Sequence, residues 1–286
     1  AKDKGFYDAE GLDVTIKPGG PDIAPAQVLA GGGADVMVDW MPSALAAREK
    51  GLPLVNIAQP FKSSGMMLTC RKDMGVNTTA DLKGKTLGVW FYGNEYPFLS
   101  WMSRLGLKTD GSANGVTVLR QGWGVEPLTE GQAACVSTMS YNEYWVVRDA
   151  GYSPEQLTVF KYQSEGAATL EDGLYVHEKN LSDAAFKDKM VRFVRASMKG
   201  WKYAEANPKE AAMIILDNDD AGVQTEKHQV RMMGEIAKLT AGSNGSLDPA
   251  DYERTVKVLM SGDSDPVITK KPSGAWTNEI TNAALN

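Results

Sequence analysis

VDWMPSALAAREKG, residues 38–51, joins the end of an apolar strand directly to the start of a helix. TMSYNEYWVVRDAG, residues 138–151, has the same arrangement 100 residues further along the chain, and in this register Gly51 falls on Gly151. Repetition at a fixed spacing indicates a duplicated structural unit, and we favour a common architecture over a chance match. The two stretches are therefore predicted to form opposite walls of one ligand cleft.

Predicted strands alternate with predicted helices in both units. The apolar runs are LDVTI (12–16), ADVMV (34–38) and PLVNIA (53–58), then TLGV (86–89), VTVLR (116–120), ACVSTM (134–139) and LTVFKY (157–162). This order predicts an α/β fold with parallel sheets and right-handed crossovers.

Two further extended runs lie between the units, SGMMLTCRKD at 64–73 and EDGLYVHEKN at 171–180. They suit a pair of crossover strands, and the chain after 182 is almost wholly helical and is expected to pack back on the first unit. The predicted organisation is a first lobe of residues 1–68 plus 181–286, a second lobe of 69–180, and hinge strands near 66–71 and 173–178.

Composition excludes several classes of function. The net charge of −6 and the pI near 5.1 argue against a nucleic-acid partner, which would require clustered Lys and Arg. No apolar run is long enough to span a bilayer. The start of the chain has no leader pattern, so the sequence is expected to be a mature or trimmed form.

The chain has few residues that could bind a metal or act as nucleophiles. Cys70 and Cys135 lie in apolar strand-like runs, and two buried thiols are favoured over a disulfide or a metal pair. His177 and His228 have no second ligand at metal spacing, and no Walker loop, dinucleotide fingerprint or nucleophile elbow occurs. We therefore expect no metal, no cofactor and no catalytic residue.

Aromatic and polar residues follow the predicted strands, where ligands bind in open α/β sheets. Flat rings can stack on a ligand, and carboxylates and amides can hydrogen-bond to its edge. The predicted ligand-binding set is Asp39, Trp40, Ser43, Ser64, Gly65, Phe91, Tyr92, Asn94, Glu95, Tyr141, Asn142, Glu143 and Glu171.

Two of these carboxylates have a purely structural alternative. Ser140 to Glu143 fits the S-x-x-E capping box, in which Glu143 would only cap its own helix. Asp39 would likewise only cap the helix that follows it. Trp40 is harder to explain structurally, because a large ring beside Pro42 at a strand end is costly to expose unless a ligand stacks on it.

Several separated motifs carry a family resemblance: AKDKGFYDAEGLDVTIKPGG (1–20), DLKGKTLGV (81–89), YNEYW (141–145) and LEDGLYV (170–176). Together they resemble substrate-binding proteins of ABC importers, in the NMT1/THI5-like branch. The resemblance implies a type II periplasmic-binding-protein fold, in which two α/β lobes close on a small molecule.

The same resemblance implies an ABC permease and its ATPase as partners, a periplasmic or extracytoplasmic location, and a monomer. Family members usually begin with one further strand that carries an aromatic ligand contact. Part of the pocket is therefore expected to lie upstream of Ala1.

The family also includes a fungal enzyme branch that makes the thiamine pyrimidine from its own active-site histidine and pyridoxal phosphate. The position of that histidine corresponds here to Ser43, and the cysteine-rich run of those enzymes would fall near GAATLEDGLYV, which has no cysteine. The resemblance therefore favours a binding protein over an enzyme, and a third alternative, a structural or interaction module, predicts no cleft.

A thiamine-precursor aminopyrimidine is the first ligand that the resemblance implies. Trp40 could stack on its ring while Glu143 or Asp39 accepts hydrogen bonds from its amino edge. A flavin, a nucleobase, a sulfonate or nitrate remain alternatives. The anions fit poorly, because no Arg or Lys is placed in the predicted pocket.

Overall fold

The chain builds two β-sheets in the computed structural model, which describes residues 1–20, 22–261 and 266–285. The strands are β1 Met37–Asp39, β2 Leu54–Ala58, β3 Met66–Arg71, β4 Thr86–Val89, β5 Thr117–Arg120, β6 Cys135–Met139, β7 Leu157–Lys161 and β8 Gly173–His177. The helices are α1 Phe6–Ala9, α2 Pro25–Ala30, α3 Met41–Glu49, α4 Tyr96–Arg104, α5 Glu126–Thr129, α6 Glu143–Asp149, α7 Ala184–Ala206, α8 Pro208–Asp217, α9 Glu226–Thr240, α10 Pro249–Met260 and α11 Glu279–Leu285.

The larger sheet has five strands in the order β5-β4-β6-β3-β7. β4 runs parallel to β5 and β6, as the sequence predicts, while β3 is antiparallel to both β6 and β7. Its core packs Leu87 of β4 against Phe98 and Trp101 of α4, all with almost no exposed surface. Burying such large side chains is the main source of stability in this half of the molecule.

The two cysteines form a disulfide, so the expectation of two free buried thiols is wrong. The antiparallel register of β3 and β6 places Cys70 directly opposite Cys135. Facing residues on neighbouring antiparallel strands lie close enough for their sulfurs to bond.

The smaller sheet has three strands in the order β1-β8-β2, with β8 antiparallel to both neighbours. The predicted strand at 12–16 is wrong: this segment belongs to neither sheet, and Ile16 is 64% exposed. Strands form by hydrogen bonding to a neighbour, and the apolar alternation of LDVTI alone supplies none.

The two extended runs between the units form β3 and β8, which lie in different sheets and do not pair with each other. Each strand already has a neighbour on both edges, in the five-stranded sheet for β3 and in the three-stranded sheet for β8. The chain passes between the sheets twice, in the connection from β2 to β3 and in the connection from β7 to β8. The predicted lobe limits remain a prediction.

The helices after residue 182 return to the three-stranded sheet, as expected. Val55 and Ile57 of β2 pack with Met190 and Val194 of α7 and with Ile280 of α11. Helix α8 begins at Pro208, because the first turn of a helix does not need the backbone N–H that proline lacks. Within the described residues, no helix combines the length and apolar character that a membrane span requires.

Candidate functional site

A cavity of about 490 Å³ lies where loops from both sheets converge. Its walls come from the segments after β1, β4, β5 and β6, from the residue before β8, and from the loop before α2. Six residues of the predicted set line it: Asp39, Trp40, Phe91, Tyr92, Asn94 and Glu143. The volume suits a small organic molecule, since ligand pockets typically enclose about 300–1,000 Å³.

The Asp39 carboxylate is held by its immediate neighbours and does not cap the helix. Its two oxygens accept hydrogen bonds from the Trp40 backbone N–H and from Ser43 Oγ, each at 2.8 Å. The N-cap of α3 is Trp40, which has no side-chain capping bond. Ser43 therefore orients the Asp39 carboxylate without lining the cavity itself.

Glu143 lies in the turn after β6, as the first residue of α6, and in the register of the two stretches it aligns with Ser43. Its Oε2 accepts from the Met139 backbone N–H and its Oε1 from Asn142 Nδ2, both at 2.8 Å. The helix α6 begins at Glu143 with Asn142 as N-cap, so the capping box from Ser140 does not form. Both strand-to-helix turns therefore direct a carboxylate at the cavity instead of at the helix backbone.

The other predicted residues support the walls from outside the cavity. Glu95 accepts from the Gly93 N–H at 2.7 Å and holds the loop after β4. Glu171 accepts from the Gly65 N–H at 2.9 Å and from the Ser64 hydroxyl, which joins the two connections between the sheets. Tyr141 packs against Phe61, with ring centroids 6.3 Å apart, and its burial raises its pKa well above the ordinary range.

Burial dominates the electrostatics of the acidic residues. It raises the pKa of Asp39 to about 7, against the opposing hydrogen bonds from Ser43 and Trp40. It raises the pKa of Asp172, another cavity residue, to about 6, with the Trp40 side chain opposing. It also raises the pKa of Glu143, and that of Glu171 to about 8. Desolvation is costly for a carboxylate that lacks a positive partner.

Four carboxylates line the cavity: Asp22 at the mouth, and Asp39, Glu143 and Asp172 on the inner wall. Within the described residues, the three inner-wall carboxylates form no salt bridge, although Arg120 also lines the cavity. Arg120 pairs instead with Asp22 at 2.8 Å, donates to the Tyr92 hydroxyl at 3.1 Å and lies over the Tyr92 ring. The inner wall is therefore acidic and aromatic, and its one lining arginine is engaged at the mouth.

The loop after β4 brings the two halves into direct contact. Tyr92 has a left-handed backbone, with φ of 62°, and Gly93 follows with φ of 105°. A Cβ on Gly93 would lie 2.4 Å from the Cβ of Ser43, which is on α3 beside the other sheet. This close approach needs glycine, because any side chain would force the loop away from α3.

The structure also adds residues that are outside the predicted ligand-binding set. Asp172 follows Glu171 in the LEDGLYV motif but was not singled out, and only the fold shows which of the two faces the cavity. Trp90 lines the wall and donates from Nε1 to the Gly122 carbonyl at 3.1 Å. Trp123 lies at the mouth and is 73% exposed. Trp40 is only 8% exposed, so the cavity shares this ring with the core.

Two α/β units around a ligand-sized cavity define the periplasmic-binding-protein class of fold, and solved structures agree. A structure from Bordetella bronchiseptica RB50 matches with a TM-score of 0.74 at 22% identity, covering 99% of this chain and 90% of that one. A putative periplasmic sulfonate-binding protein of an ABC transporter from Methylobacillus flagellatus KT matches with a TM-score of 0.65 at 15% identity, covering 98% and 84%. At these identities the likeness establishes the fold.

The sequence comparisons identify the family within this class of fold. A family model described as NMT1/THI5 like matches residues 1–211, and the chain belongs to this family. The formylaminopyrimidine-binding protein of Halalkalibacterium halodurans is 24% identical over 290 residues, which cover 97% of this chain and 85% of that protein. The resemblance read from the sequence motifs is confirmed.

Proposed function

We propose that this chain is the solute-binding protein of an ABC importer and that it binds a thiamine-precursor aminopyrimidine, in the first place formylaminopyrimidine, in the cavity. The observation that carries the proposal is the set of three inner-wall carboxylates, Asp39, Glu143 and Asp172, which have no basic partner within the described residues and have aromatic rings beside them. The name of the Halalkalibacterium halodurans relative supports the choice of ligand.

The chemistry of an aminopyrimidine complements this wall. Its flat ring can stack on Trp40 or Trp90, and such a contact adds about 0.5–1.5 kcal/mol beyond the burial of area. Its amino group donates N–H bonds to a carboxylate, and the adjacent ring nitrogen accepts from a protonated carboxyl group or, when it is itself protonated, donates to a carboxylate. A charge-assisted bond of this kind is about twice as strong as a neutral one. The ligand would thus add donors to carboxylates whose present hydrogen-bond donors are all neutral groups.

The cavity charge argues against the anionic alternatives. A sulfonate or nitrate would lie beside the three inner-wall carboxylates, and the one arginine on the described lining already pairs with Asp22. A flavin or a nucleobase remains compatible with the rings and donors, and both belong in the binding assay.

A non-enzymatic role follows from the same residues. By the family resemblance, Ser43 corresponds to the active-site histidine of the fungal branch, and in this chain its hydroxyl donates to Asp39. Lysine is missing from the described residues that line the cavity, so no side chain there could hold pyridoxal phosphate as a Schiff base. Absorbance near 400 nm in the purified protein would favour the enzyme instead.

Thermal unfolding across a ligand panel tests the proposal. The panel contains formylaminopyrimidine, hydroxymethylaminopyrimidine, thiamine, riboflavin, nucleobases and taurine. A ligand at one hundred times its dissociation constant stabilises the folded state by about 2.7 kcal/mol. Stabilisation by an aminopyrimidine is the expected result, and stabilisation by taurine alone would overturn the ligand class. The permease and ATPase partners, the extracytoplasmic location and the monomeric state are part of the same proposal.

A further inference from the structure

The N-terminal part of α9 contacts α6 across the two halves of the molecule. Helix α9 packs on α7 and α8, which are part of the half built on the three-stranded sheet, whereas α6 follows β6 of the five-stranded sheet. Arg231 of α9 donates to Asp149 of α6 at 3.0 Å and lies 4.7 Å from the ring centroid of Trp145. Lys227 adds a second, looser pair with Asp149 at 3.5 Å.

A chain of hydrogen bonds runs from this contact to the cavity. His228 Nε2 lies 2.8 Å from Asn142 Oδ1, and Asn142 Nδ2 donates to Glu143 Oε1 at 2.8 Å. Because the amide nitrogen already donates to Glu143, the amide oxygen must accept, and His228 must be the donor. Neutral histidine protonated at Nε2 and the imidazolium both meet this requirement, so the chain survives titration of the ring.

We infer that His228 is a positioning residue for ligand binding: it orients Asn142 from the opposite half of the molecule and so fixes the carboxylate of Glu143 at the cavity wall. This inference rests on the proposed function. The arrangement couples binding to closure, because the donor is in place only when α9 and α6 are in contact.

Geometry supports a specific role beyond general packing. Thr225 caps α9 and its hydroxyl accepts from the His228 backbone N–H, which fixes the residue in the first turn of the helix. The ring is half-buried, and burial followed by the charge of Arg231 lowers its pKa, against the opposing charge of Asp149. A histidine that served only as a solvated surface group would not be aligned on an amide that already serves a cavity residue.

A first experiment needs no ligand. His177 and His228 are the only histidines, so His177→Gln assigns both proton NMR signals, and their pKa values can be followed separately. Asn142→Asp keeps the shape of the side chain and places a carboxylate beside Nε2, which should raise the pKa of His228 by a unit or more. His177 should not respond. An unshifted His228 in that variant would overturn the inference, whatever the protein binds.

A second experiment measures the effect on binding, with formylaminopyrimidine as the calorimetric probe. His228→Ala should weaken binding about tenfold, His228→Gln should restore most of it because its amide N–H can replace the donor, and His177→Ala should bind normally. In a Glu143→Gln background the loss caused by His228→Ala should disappear. Equal losses in both backgrounds would overturn the positioning role. A wild-type protein that binds no probe would refute the proposed function, and the NMR shift would still decide the contact.

Discussion

Asp39→Asn should change how the stability of the ligand-free protein depends on pH. Burial raises the pKa of this carboxyl from 3.8 to about 7, a shift of about 3 units, which at 1.36 kcal/mol per unit amounts to about 4 kcal/mol. Asp39 is buried, so the full shift applies to the folded state. Asparagine has no charge to desolvate and removes this effect.

The sign follows from proton binding. Between pH 4 and pH 7 the folded wild type holds the proton on Asp39 and the unfolded chain has lost it, so its stability falls as pH rises through this range. Asparagine also leaves one of the two donors, Ser43 or the Trp40 N–H, without its carboxylate oxygen, a cost of about 1–3 kcal/mol that does not vary with pH. Relative to the wild type, the free energy of unfolding of the variant should therefore rise by up to about 4 kcal/mol between pH 4 and pH 8.

Urea unfolding of both proteins at pH 4, 6 and 8 measures this difference directly, because the other carboxyl groups titrate in both and cancel. Asp8→Asn removes an exposed carboxylate on α1 and serves as the control. A free-energy difference between variant and wild type that stays constant from pH 4 to pH 8 would refute the view that Asp39 is a desolvated, unpaired carboxylate.

Three further predictions concern the cavity, the contact between halves and the disulfide. Glu143→Gln should weaken formylaminopyrimidine binding about tenfold or more by calorimetry, because the charge-assisted bond is lost. Gly93→Ala should weaken binding and enlarge the particle in small-angle scattering, because its Cβ would meet Ser43 at 2.4 Å. Reduction of the Cys70–Cys135 bond, which closes a loop across 65 residues of sequence, should lower the unfolding free energy by about 2–5 kcal/mol in a denaturant titration.

Each of these predictions has its own contrary result. Unchanged affinity in Glu143→Gln would leave the carboxylate a structural group that braces the turn after β6. Gly51→Ala, with a similar φ of 96° and open space around it, controls for backbone strain, and an equal effect in both glycine variants would remove the argument from contact with Ser43. A midpoint unmoved by reducing agent would show that the β3–β6 pairing holds without its covalent link.

Local pattern was sufficient for most of the strands and helices. Residues that alternate or repeat at helical spacing form the predicted element wherever a neighbour exists, as Met37–Asp39 and Leu54–Ala58 do on either side of β8. LDVTI alternates equally well but has no neighbouring strand, and the pairing of Cys70 with Cys135 depends on a register between distant strands. Both errors concern which distant segment lies beside a strand or a cysteine, and a single stretch of sequence does not specify that.

The candidate site was predictable to the same extent and for the same reason. Asp39 and Glu143 could be named because a carboxylate follows a strand and precedes a helix in each unit. Asp172 could not be told from Glu171, since only the fold shows that one faces the cavity while the other joins the two connections between the sheets. The contact of His228 with Asn142 could not be predicted, because α9 and α6 are far apart in sequence and only the fold brings them together.

The repeated strand-to-helix turn gives the site its chemical character. In each unit the acidic residue of the turn is turned away from the helix that it could have capped, and a nearby polar side chain, Ser43 or Asn142, holds it toward the cavity. The protein thereby gives up two helix caps, each worth about 1 kcal/mol, and desolvates two carboxylates. Under the proposed function, a ligand that brings donors to both walls would offset part of this loss, so binding of an amino-bearing ring would favour the closed state.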